Sequence, residues 1–119
     1  MGRPARNRPA QLPNKLLVIR EILTLRRVEM AERLQAQILS HSGKEYRIKG
    51  GRISEWESGR REPDMLVLLA YSSLAHVSMN PMVDDAITVD AFREQVAKEL
   101  NRGTTAQHKQ KKVKKRLQT

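Results

Sequence analysis

The apolar positions of this chain recur at helical rather than strand spacing, and the pattern predicts six short helices separated by polar punctuation. Asn14 stands as a cap before Leu16, Leu17, Ile19 and Leu23, the apolar face of a first helix. A second helix is expected over about 27–37, with Val28, Met30, Ala31, Leu34 and Ile38 inward and Glu29 and Arg33 paired one turn apart. The stretch SHSGKEYRIKGG then breaks the period. It reads as a loop with a turn at Gly43 and few apolar anchors. Arg52 to Ser58 forms a third helix that buries Ile53 and Trp56, and Gly59 supplies the left-handed residue that closes it. Asp64 caps a fourth helix from Met65 to Ala75, with Leu66, Leu68, Leu69 and Leu74 inward. Ser78 caps a fifth carrying Met79, Met82 and Val83. Asp90 caps a sixth, on which Phe92, Val96 and Leu100 recur every fourth residue before Gly103.

Composition narrows the fold class. At 119 residues the chain fits one small domain with a tail, and 39% hydrophobic against 3% aromatic residues favours an aliphatic core of packed helices. The expected architecture is all-α: a compact five-helix bundle plus a C-terminal helix and a basic tail. Its segments are a basic arm over 1–13, the main domain over 14–85, the C-terminal helix over 86–103 and a disordered basic tail over 104–119. Cysteine is absent, which excludes disulfides and thiolate metal sites. No apolar run approaches the roughly 18 residues of a membrane span, so a cytoplasmic protein is the expectation.

Charge changes the picture more. The net charge is +10. Residues 1–15 hold Arg3, Arg6, Arg8 and Lys15 without an acid, and residues 102–119 carry seven basic residues without an acid. The middle is polarised, with the basic excess over 16–61 and the acidic excess over 62–101. A polyanion partner accounts for this layout, and so do solvated, solubilising ends. His41, His76 and His108 lie far apart and in no metal-ligand spacing, so neither an enzyme, a metal nor a cofactor is expected. Gly50-Gly51 matches no phosphate-loop pattern.

The second and third helices give those glycines a setting. Ala31 is small enough for a crossing helix to approach closely, and Ile53 and Trp56 anchor that helix while Arg52, Ser54 and Glu55 face outward. The arginines are then free to meet phosphates or base edges. A core helix with ordinary surface arginines satisfies the same pattern.

Two stretches carry a resemblance. IREILTLRRVEMAERL and RISEWESGRREPDMLVLLAYSSLAHVSMNPMVDD together resemble the Cro/XRE-type (lambda-repressor-like) helix-turn-helix DNA-binding domain, over about residues 15–85. The most specific part is ISEWESGRREPDMLVLLAYSSLAHVS. The resemblance implies a DNA-binding transcriptional regulator, a repressor, acting on double-stranded DNA as a homodimer on two-fold related half-sites. It places Arg27, Lys49, Gly50, Gly51, Arg52, Ser54, Glu55, Arg60 and Arg61 at the DNA and pairs Arg20 with Glu57, while Ala31, Ile53 and Trp56 serve as core anchors. The family is known mostly from bacteria and phages, which implies a nucleoid-associated protein.

This chain departs from the family pattern in several places. Thr24, Arg26 and Arg27 replace the usual Gly, Ser cap and Gln, His76 replaces the Gly ending helix four, and the longer segment Gln35–Lys49 replaces a short turn. The leading base-reading positions fall on Gly50 and Gly51. Either those glycines let the backbone approach DNA or cap the helix, or Lys44, Arg47 and Lys49 of the loop take over the contact. The N-terminal GRPARNRP also resembles the Gly-Arg-Pro core of an AT-hook, with Met1 where that motif has Arg. The alternative function is an antitoxin or co-regulator module whose bundle binds a protein partner. The Phe92, Val96, Leu100 stripe is expected either to pack on its own bundle or to form a dimer seam.

Overall fold

The structure, a computed structural model, describes residues 9–102; Arg3, Arg6, Arg8 and the 104–119 tail lie outside the described residues. Those described fold as six helices with no strand: α1 (Leu12–Leu23), α2 (Arg27–Ser42), α3 (Gly50–Ser58), α4 (Met65–Ala75), α5 (Met79–Val83) and α6 (residues 89–102). The chain is therefore all-α and compact, as its apolar spacing requires. No helix among the described residues is long and apolar enough to cross a membrane.

Helix ends follow local chemistry where a local signal exists. Gly43 and Gly59 end α2 and α3 at φ 73° and 81°, where a Cβ would be strained. His76 and Thr24 take the same left-handed position at φ 58° and 55°, which few non-glycine residues do. Asp64 caps α4 by accepting from the Val67 N–H at 3.0 Å. Ser78 occupies the N-cap of α5, but its side chain makes no capping bond.

Other ends differ from expectation. Helix α1 starts at Leu12, with Pro13 in its first turn, so Asn14 is not its cap. The service is supplied from elsewhere: the Asp85 carboxylate accepts from the Ala10 and Gln11 N–H groups at 2.9 and 3.0 Å, which holds its pKa below the usual carboxylate range. Helix α2 runs to Ser42, well past residue 37. Helix α3 starts at Gly50, so both glycines lie in its first turn rather than ahead of it. Helix α6 is capped by Thr88, whose hydroxyl accepts from the Ala91 N–H at 3.1 Å, and not by Asp90.

The core joins α1 and α2 to the three helices that follow. Leu16, Ile19, Met30, Leu34, Ile53, Tyr71 and Met82 are all fully buried, and α3 packs against both α1 and α2. Burying a side chain such as Ile53 is worth about 1.5–3 kcal/mol. The Trp56 and Tyr71 rings meet edge to face at 6.4 Å and tie α3 to α4.

Four side chains correct the pattern reading. Val28 is 60% exposed and Leu69 46% exposed, while Leu66 and Leu74 are half-buried. The inward face of α4 uses Val67, Leu68, Ala70 and Tyr71 instead. A helix apolar on nearly every face leaves its buried side to be chosen by its neighbours.

Lys15, counted above in the basic N-terminal end, is 0% exposed. Its Nζ donates to the Pro81 and Asp84 carbonyl oxygens at 2.7 and 2.8 Å and lies 5.7 Å from the centre of the Phe92 ring. Burial lowers its pKa, and the charges of Asp85 and Asp84 partly restore it. This ammonium joins α1, α5 and α6. Phe92 and Val96 are fully buried beside it, which removes both from a dimer seam. Arg93 reinforces the docking of α6 through an exposed bridge to Glu21 at 3.0 Å.

Candidate nucleic-acid interface

The starts of α2 and α3 adjoin. A methyl group added at Gly50 would sit 3.4 Å from Val28 Cγ2 and 3.8 Å from Arg27 Cβ. Gly50 thus permits a close approach between the two helix starts, and Val28 spends its side chain on that contact rather than on the core. At Gly51 the same methyl group would meet nothing within 4 Å. The first turn of α3 has no acidic residue and no side-chain cap; the Arg52 N–H donates to the Lys49 carbonyl oxygen at 2.9 Å, and the Gly50 and Gly51 N–H groups are left for other acceptors. Two helix N-termini placed together concentrate positive partial charge.

Side chains around that junction add full charges. Arg26 and Arg27 begin α2, while Lys49 and Arg52 flank the start of α3; all four are exposed. Glu29 is the one acid in the first turn of α2, and it is committed to Arg26. It accepts from the Arg26 backbone N–H at 2.8 Å and from Nε at 3.2 Å, which lowers its pKa and takes the place of the expected Glu29–Arg33 pair.

The remaining predicted residues divide into two sets. Ile53 and Trp56 are buried and hold α3 in place, and Ala31 is buried on α2. Arg20 and Glu57 meet in a two-pronged bridge at 2.6 and 3.0 Å, with only 5% of the Glu57 side chain exposed. Glu57 also lies 3.5 Å from Arg27 Nε, so one buried carboxylate serves α1 and the start of α2 together. At the outer surface, Glu55 faces Arg61 Nε at 3.1 Å and Arg52 Nη1 at 3.5 Å. Ser54 is exposed, and Lys49 and Arg60 are exposed cations with no ion pair among the described residues.

The segment between α2 and α3 is better anchored than its composition suggests. Ile48 is buried, and its N–H donates to Gln35 Oε1 at 2.6 Å. The Tyr46 hydroxyl donates to Asp64 Oδ2 at 3.0 Å, which raises the phenol pKa. Gln35, Tyr46 and Ile48 were missed as anchors. The available signal was Ile48, an isolated aliphatic between Gly43 and Gly50. Lys44 and Arg47 remain exposed on this segment.

Among the described residues there is no cluster of His, Cys, Asp and Glu suited to a metal ion. No protein-family model, curated protein or solved structure matches the chain.

Proposed function

We propose that the protein is a DNA-binding transcriptional regulator, a repressor of cytoplasmic, nucleoid-associated type, whose α2 and α3 act as a helix-turn-helix. One observation carries the reading: the adjoining starts of α2 and α3 are ringed by Arg26, Arg27, Lys49 and Arg52, and the acids beside them, Glu29, Glu57 and Glu55, each already lie against an arginine. Backbone N–H groups and cationic side chains that converge with positive charge in excess suit a chain of phosphates. The resemblance of residues 15–85 to Cro/XRE-type domains points the same way.

In this reading the helix starts set the register on the backbone. Arg27 and Lys49 take phosphates, Arg52 reaches a base edge, and Arg60 and Arg61 approach the flanking backbone. Gly51 lets the α3 backbone itself come close. The basic residues of the two chain ends add binding that is independent of sequence. Two copies on related half-sites remain part of the proposal, with a surface other than Phe92 and Val96 between them.

A second reading draws on a different surface. Met65 is 62% exposed and, with Leu69 and Leu39, presents aliphatic groups on α4 and α2. A co-regulator or antitoxin that grips another protein would use such groups.

Selection from a random-DNA pool, with and without about 0.2 M added salt, separates the two. A regulator enriches a defined motif that survives the salt. Loss of all binding even at low salt would leave the protein-binding reading standing.

A further inference from the structure

The outward side of α3 carries few side chains long enough to probe a groove. Gly51, Ser54 and Ser58 are all exposed, and the Ser58 hydroxyl is turned back onto the Glu55 carbonyl oxygen at 3.1 Å. That leaves Arg52 and Glu55. Glu55 divides its carboxylate between two arginines, Oε2 toward Arg61 Nε at 3.1 Å and Oε1 toward Arg52 Nη1 at 3.5 Å. The Arg61 N–H also donates to the Glu55 carbonyl oxygen at 3.3 Å, so the turn after α3 is fastened to the helix beside the same residue.

We propose that Glu55 is a positioning residue: it holds Arg52 and Arg61 as one fixed array, and that array, rather than the whole outward face of α3, sets the sequence preference of the protein. The inference rests on the DNA-binding reading above. An arginine restrained before binding loses less side-chain freedom on contact. Glu55 draws Arg52 only through the ion pair to Nη1 at 3.5 Å, so the other donors of its planar fork stay available for the two acceptors of guanine. Glu55 itself carries the wrong charge for phosphate. Its presence on this face therefore lowers affinity for every sequence while orienting the one side chain able to choose among them.

The test uses the full chain and its Glu55→Gln and Arg61→Gln variants, each shown to be folded by circular dichroism. Each is titrated with the duplex recovered by selection and with a scrambled duplex of equal composition. Both variants should discriminate about tenfold less than the parent. Their affinity for the scrambled duplex should move in opposite directions, up for Glu55→Gln and down for Arg61→Gln, because one removes an anionic group and the other a cationic one. If affinities move but the discrimination ratio stays constant, Glu55 is only a charge. The inference then fails while the DNA reading survives. A parent protein that binds without preference overturns it in the same way, and one that binds neither duplex at low salt overturns the DNA reading as well. A DNA-free arm is nuclear magnetic resonance of the Arg61 Nε–H. Its solvent exchange should speed up in Glu55→Gln, and an unchanged rate overturns the array regardless of what binds.

Discussion

Arg20 and Glu57 share two hydrogen bonds across α1 and α3, and the same carboxylate reaches to 3.5 Å from Arg27 at the start of α2. Arg20 is further satisfied by the Leu25 carbonyl oxygen at 3.1 Å, so the pair also ties the α1–α2 connection. The hydrogen bonding of Arg20 to the Glu57 carboxylate is the largest influence raising the Arg20 pKa. Removing the carboxylate strands a guanidinium that is mostly hidden from water. Glu57→Ala should therefore cost about 2–4 kcal/mol by urea unfolding. A loss below about 0.5 kcal/mol, the scale of an exposed pair, would show that the bridge contributes little.

Tyr71 supplies a prediction with a defined sign. It is fully buried, its hydroxyl has no hydrogen-bond partner among the described residues, and burial pushes its pKa well above the usual value. A phenol with a raised native pKa contributes stability that is complete below its unfolded pKa of about 10 and declines as pH climbs toward the native value. Tyr71→Phe should flatten that alkaline decline. At neutral pH it should be neutral or stabilising by up to about 1 kcal/mol, since an unpaired hydroxyl is no longer buried. Tyr46, also raised, leaves a residual slope. Urea midpoints from pH 7 upward would expose an error if Tyr71→Phe steepened the decline.

Gly51→Ala separates stability from binding. The added methyl group meets no atom within 4 Å, so the helix gains about 0.5–1 kcal/mol from reduced backbone freedom in the unfolded chain. The same group would stand between the α3 backbone and a bound phosphate. Thermal unfolding should rise while affinity for DNA falls. A gain in stability with unchanged affinity would place the nucleic acid elsewhere.

Lys15 tests how α6 is held. Lys15→Ala deletes a fully buried side chain, takes the ammonium donor from the Pro81 carbonyl oxygen and leaves the Asp84 carbonyl oxygen with the Ile87 N–H at 3.1 Å. The expected loss is on the order of 2–4 kcal/mol. Amide exchange around Phe92 and Val96 should accelerate more than exchange in α2. Equal acceleration throughout would mean that α6 does not depend on this ammonium in particular.

Features with a local cause were legible from the residues alone. The left-handed end at Gly59, the Asp64 cap and the burial of Ile53 and Trp56 each follow from neighbours within one or two turns, whereas Gly43, expected as a turn within a loop, closes a longer α2. The candidate site was partly legible for the same reason: Arg52 and Glu55 face outward because Ile53 and Trp56 face inward. Its central feature was not. The junction of two helix starts at Val28 and Gly50 joins positions from separate helices, and no periodicity records which ends will meet.

By itself, then, the sequence determined that the chain forms helices, where most of them stop and which side chains anchor α3, since those outcomes depend on backbone preference and spacing within a single element. Only the tertiary structure decided that Asp85 serves the start of α1, that Lys15 is buried instead of adding its charge to the basic N-terminal end, and that Phe92 lies over its ammonium. It also decided which face of the almost wholly apolar α4 turns outward and that Glu55 stands between two arginines. Each of these joins groups distant in sequence or facing several compatible partners. The choice among them is made by packing, through burial, unpaired carbonyls and charge.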